Sequence, residues 1–129
     1  MLITAPGHRM AGHAQPLLSE LRDEPFVCLS ADSGLRTLLD AAARRAGFRP
    51  DVRFETHSPA SIRELVSAGL GVALLARSAA EAPGPPIAVH PVRPAVRHPS
   101  IAAIRRRDRP PGPAAQAFLE HVRRPKQLV

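Results

Sequence analysis

Apolar and polar positions along this chain repeat with two periods, and the switch between them marks its elements. From Thr56 to Ala79 the sequence reads THSPASIRELVSAGLGVALLARSA. Ser58 can cap a helix by accepting from backbone N–H groups, and Pro59 suits the first helical position. Ile62, Leu65 and Val66 then fall on one face at helical spacing. Gly69 stands where a helix ends in the left-handed conformation, which costs glycine little. Gly71 opens the apolar run Val72 to Ala76, too short for a helix and suited to a strand covered on both faces.

The same grammar runs through the preceding residues. Phe26 to Ser30 predicts a buried strand, and Ser33 or Asp32 caps the helix that follows. Leu35, Leu38, Leu39, Ala42 and Ala46 form its apolar face, and Gly47 stops it. Asp51 to Glu55 alternates like a strand with one solvated face. Strands and helices in this order predict a parallel α/β unit, whose ligands gather at the carboxyl ends of the strands.

The flanks are less regular. Met1 to Ala5 has strand character, and Pro6 to Gln15 reads as a loop. Its His8 and His13 do not share a helix face, so a metal reading there is weak. Pro16 to Arg22 supports one helical turn, ended by Asp23-Glu24-Pro25. Glu81 to Pro86 (EAPGPP) is a stiff connector. Ile87 to Val92 predicts an edge-like strand, and Ser100 to Arg105 is a further strand candidate. Pro113 to Arg124 predicts a last helix with Ala114, Ala117, Phe118 and Val122 facing inward.

Composition narrows the function classes. A chain of 129 residues predicts one domain with a workable core. It has no Trp or Tyr and four Phe, so the core rests on aliphatic residues and these phenylalanines. The net charge is +7, with Lys126 as the only lysine. Such a balance fits nucleic acid or an acidic surface as partner, but aromatic interleaving and a recognition helix are missing; solvated charge is the preferred reading. The single Cys28 lies in an apolar run, reads as a small buried hydrophobe, and points to a reducing compartment. No apolar run approaches a membrane span and no signal peptide is visible, so the cytoplasm is expected.

Candidate chemistry concentrates in two strand-to-helix turns built alike, one with Ser30, Asp32 and Ser33, the other with Thr56, His57 and Ser58. Backbone N–H groups at helix starts attract anions, and hydroxyls add orientable donors. If the two strands are neighbours, both turns face one crevice suited to a small carboxylate. Taken singly, Ser33 and Ser58 are as well explained as caps; the paired arrangement favours a site. Ser33, His57 and Asp32 can be drawn as a triad, but no G-x-S-x-G elbow surrounds any serine. H-E-x-x-H, C-x-x-C and the phosphate loop are missing too. No catalytic residue, metal ligand or cofactor is therefore expected.

Several stretches together resemble the effector-binding domain of LysR-type transcriptional regulators. They are Leu2-Ile3-Thr4-Ala5-Pro6-Gly7-His8, Leu21-Arg22-Asp23-Glu24-Pro25-Phe26-Val27, Gly34-Leu35-Arg36, Ala46-Gly47-Phe48-Arg49-Pro50, and Val66 to Leu75. The resemblance spans residues 2 to 123. It implies an α/β, partial type 2 periplasmic-binding-protein-like fold, with one complete lobe plus the returning C-terminal strands and helix of the other. Residues 25–80 would be the second lobe, and 1–24 and 81–129 the hinge and first-lobe remnants. It carries Ser30 to Ser33 and Thr56 to Ser58 onto ligand-facing loops, for a small-molecule effector that is an organic acid. Ala76 departs from the proline usual after that strand.

The resemblance also implies a homo-oligomer, and DNA contact only through a helix-turn-helix domain that this sequence does not contain. The strands and helix after residue 86 would then pack on strands encoded elsewhere. Other readings remain: a fragment of a solute-binding protein, a small basic nucleic-acid-binding protein, and a hydrolase.

Overall fold

The computed structural model describes residues 1–97 and 102–123. The chain divides into two compact units, Met1–His98 and Pro99–Val129. The first runs across the boundaries expected at 24/25 and 80/81.

In chain order the first unit contains β1 (Leu2–Thr4), a 3-10 turn (Leu18–Leu21), β2 (Pro25–Leu29), α1 (Gly34–Arg45), β3 (Asp51–Thr56), α2 (Pro59–Ser67), β4 (Ala73–Leu74), the single-turn α3 (Arg77–Ala80) and β5 (Ala88–His90). β2 and β3 are parallel, with Phe26 opposite Val52 and Leu29 opposite Thr56. β1 lies between β4 and β5 and is antiparallel to both. One bridge joins the two sheets: Val27 N–H donates to Val72 O at 2.9 Å, and Val72 N–H to Pro25 O at 2.8 Å.

Glycine makes that bridge. A β-carbon at Gly71 would lie 2.5 Å from the Pro25 carbonyl oxygen, so a side chain there would force the strands apart. Gly69 does the other task read from the sequence. It has φ +78°, its N–H donates to Val66 O, and Leu70 N–H donates to Leu65 O. This six-residue closure satisfies the last carbonyls of α2, and Gly47 ends α1 in the same way.

Strand alternation sorts the core into two layers. Phe26, Cys28, Leu2, Val72 and Leu74 meet Leu39, Ala42 and Ala43 of α1, with Leu18 and Leu21 of the 3-10 turn. Val27, Ile3, Ala73 and Leu75 point the other way, to Ile62 and Val66 of α2. Cys28 is buried and reduced, and burial pushes its thiol up to about 11, so it behaves as an apolar group. Met10 is also buried, which the loop reading of Pro6 to Gln15 did not anticipate. That loop is fastened by Glu24, which pairs with His8 at 3.1 Å and Arg9 at 2.6 Å.

Several expectations change. Ala88–His90 finds its partner in this chain, because the N–H and C=O groups of β5 pair with those of β1. The β2–β3 register shifts between Phe26 and Val27, so Val52 stands opposite Phe26 but Phe54 opposite Val27; Phe54 on this edge strand is 39% exposed and does not enter the core. The regular part of Val72 to Ala76 is only Ala73–Leu74, although Val72 to Leu75 are all buried, as expected of a strand covered on both faces.

In the second unit, α4 (Pro113–Arg123) forms where expected, but no residue of it is buried. Within its own unit, Ala114, Ala117, Phe118 and Val122 are exposed, not buried as expected. Of the strand expected at Ser100 to Arg105, residues 100 and 101 lie outside the described residues, and 102–105 form neither helix nor strand. Arg124 also lies outside them.

Candidate functional site

The parallel pairing of β2 and β3 brings the two turns side by side. Ser30 N–H donates to Thr56 O at 3.1 Å, joining the strands at their carboxyl ends. From there each chain turns into a helix. Ser33 Oγ accepts from Leu35 N–H at 3.3 Å and caps α1; Ser58 Oγ accepts from Ser61 N–H at 3.4 Å and caps α2. Thr56 Oγ1 accepts from Ser58 N–H at 3.3 Å and shapes the second turn. All six predicted residues therefore sit at one end of the β2–β3 pair, with two helix N-termini opening beside them.

Asp32 and His57 are exposed, while Ser30, Ser33, Thr56 and Ser58 are half-buried. The Ser30 side chain beside Asp32, then the backbone N–H of Asp32 itself, hold its carboxyl below the usual range, with the neighbouring His57 adding a smaller effect. No hydrogen bond links His57 to Ser33 among the described residues, and the Ser33 hydroxyl is engaged as a cap.

Cavities lie elsewhere on the unit. One of about 490 Å³ is lined by Arg36, Asp40, Arg44, Phe48, Arg49 and Pro50, toward the opposite end of β3. Another, of about 250 Å³, includes Leu35 in the first turn of α1 with Leu75, Ala76 and Arg77. It puts a third strand-to-helix turn, the one after β4, near the first. The sequence carried its signal, a helix start directly after an apolar run, but Ala76 at the cap position offers no hydroxyl. Arg77 there pairs with Glu81 at 3.0 Å.

The model of the family described as the LysR substrate binding domain matches residues 1–126. The chain belongs to this LysR family. An uncharacterized HTH-type transcriptional regulator of Bacillus subtilis (strain 168), YwbI, is 37% identical over 124 residues, which is 95% of this chain and 41% of that protein. The chain thus spans about two fifths of the length of that relative. Among solved structures, the regulatory domain of Synechocystis PCC6803 CcmR, in complex with 2-PG, superposes with TM-score 0.77 at 18% identity over 94% of this chain and 59% of that one. The effector-binding domain of QuiR in complex with shikimate gives TM-score 0.69 at 20% identity, over 92% and 56%. The LysR domain has the fold that these neighbours share, and this chain supplies a mixed α/β part of it. Among the described residues, no helix is long and apolar enough to cross a membrane.

Proposed function

We propose that this chain is the effector-sensing part of a LysR-family transcription regulator and takes a small carboxylate-bearing metabolite at the Ser30–Ser33 and Thr56–Ser58 turns. The observation that carries this reading is the Ser30 to Thr56 hydrogen bond, which sets two capped helix starts next to each other. Helix N-termini offer unpaired N–H groups and a partial positive charge, and a carboxylate satisfies both. The Ser33, Thr56 and Ser58 hydroxyls supply orientable contacts at the same rim. Asp32 repels a second acidic group and can accept from a hydroxyl on the ligand, so a hydroxylated monocarboxylate suits the cluster better than a dianion. QuiR, whose effector-binding domain is in complex with shikimate, supports a hydroxylated carboxylate.

In this reading the chain lacks catalysis, because no base is hydrogen-bonded to the Ser33 hydroxyl among the described residues. Residues 25–80 act as the second lobe and close on the effector against a first lobe to which 1–24 and 81–129 contribute. The regulator works in the cytoplasm as a homo-oligomer, and DNA is contacted through a helix-turn-helix domain outside this sequence.

Calorimetry with a panel of hydroxylated and plain carboxylic acids tests the site. Ser58→Ala should weaken binding and also cost about 1 kcal/mol of stability as a lost cap. Equal affinity in the wild type, Ser33→Ala and Ser58→Ala would remove the turns from consideration.

A further inference from the structure

Away from these turns, α2 buries a cation. Arg63 is only 6% exposed. Its Nη1 donates to the Ala79 carbonyl at 3.1 Å and also to that of Ala80, the last residues of α3. Among the described residues, its Nε and Nη2 donate to no acceptor, and no carboxylate lies within ion-pair distance. A guanidinium has five N–H donors, and the Nε and Nη2 of Arg63 are not sealed from solvent, so they open onto the space beside them. The clamp on α3 explains two hydrogen bonds and leaves the Nε–Nη2 edge unexplained. That edge is the fork that receives a carboxylate through two parallel hydrogen bonds.

The space beside it is a cavity of about 320 Å³ between the first turns of α2 and the proline-rich connector. Pro59, Ala60, Ala82 and Pro83 give it apolar walls, and Glu64 brings the other charged side chain. The connector comes close because residue 84 is glycine. A β-carbon there would lie 3.1 Å from Arg63 Nη2 and 3.2 Å from Nε, against the same edge.

We propose that this cavity binds a small organic monocarboxylate, with its carboxylate on the Nε–Nη2 edge of Arg63 and its apolar body along the proline and alanine walls. Glu64 selects against more highly charged anions such as phosphate by like-charge repulsion. The volume is at the lower end for a small-molecule site, so the ligand is compact. Neither Ser33 nor Ser58 lines this cavity, which would give the domain a second acid-responsive position on α2.

Nuclear magnetic resonance of the full chain, titrated with hexanoate and separately with inorganic phosphate, tests it. Hexanoate should shift the Gly84 amide and the Arg63 Nε–H saturably, and phosphate should do so more weakly. Arg63→Gln should weaken hexanoate binding by about tenfold or more, as expected for a lost charge-assisted pair. Gly84→Ala, which keeps the cation but crowds its edge, should weaken it too and decides the matter if Arg63→Gln does not fold. Ser33→Ala should leave this binding unchanged, so a failed turn site would not count against it. Absence of saturable shifts at Gly84 and Arg63, or an unchanged response in Gly84→Ala, would overturn the proposal.

Discussion

α2 and α4 are similar helices with opposite fates. Each begins at a proline, and each carries an apolar stripe at helical spacing. In α2, Ile62 and Val66 are fully buried against Val27, Ala73 and Leu75. In α4, Phe118 is 59% and Val122 55% exposed. Amphipathic spacing thus states that a helix has a face to offer, not that something receives it. α2 packs chiefly on β2 and β1, strands of its own unit that lie far from it in sequence, whereas no strand of its own unit flanks α4 among the described residues.

The comparison is broken most directly by paired truncations. Ile62→Ala should cost about 2–5 kcal/mol, the range for deleting a buried aliphatic side chain. Phe118→Ala should stay within about 0.5 kcal/mol. Urea midpoints of the two variants measure the contrast, and equal losses would mean that α4 is packed in solution.

The stop of α2 sharpens it next. Nothing lies within 4 Å of a β-carbon placed at Gly69, so crowding is not at issue. Its φ of +78° remains, and a β-branched residue is strained there. Gly69→Val should therefore cost about 1–3 kcal/mol through the backbone alone. An unchanged melting temperature would show that this turn relaxes freely.

Much of this was legible because it is local. The caps at Ser33 and Ser58 and the stops at Gly47 and Gly69 depend on residues within one helical turn, and each formed where its pattern stands. The adjacency of the two turns needed one further fact, that β2 and β3 are parallel neighbours, which α/β alternation supplies. What was not legible depends on distant chain. Phe54 alternates with Val52 in the sequence, but a register shift sets the two opposite consecutive residues of β2, and Ala88–His90 pairs with β1. Arg63 follows a buried isoleucine and reads as a solvated charge until Ala79, Ala80 and Gly84 come to meet it.

The smallest effect concerns the loop that closes over the α1 layer. Burial alone would raise the Glu24 carboxyl, but hydrogen bonds from His8 and Arg9 outweigh it and hold the group below its ordinary value. A folded value below the unfolded one means that stability is gained above the ordinary carboxylate range. It is lost as pH falls through the depressed folded value. Glu24→Gln should remove about 0.5–1 kcal/mol at neutral pH and flatten the acid side of the stability profile. An identical acid midpoint in the variant would show that the pairs contribute nothing.

The position of β1 between β4 and β5 bears on the order in which the molecule is made. Leu2 is synthesised well before its partners Leu74 and His90. While the chain grows on the ribosome, β2, α1 and β3 can close on one another as soon as Thr56 has emerged, since their contacts are short-range in sequence. β1 has no partner until β4 emerges, and its second edge waits for β5. Its three apolar and hydroxylated residues therefore keep an open edge until Ala88–His90 has been added, so the first of these five strands to be made waits for the last of them.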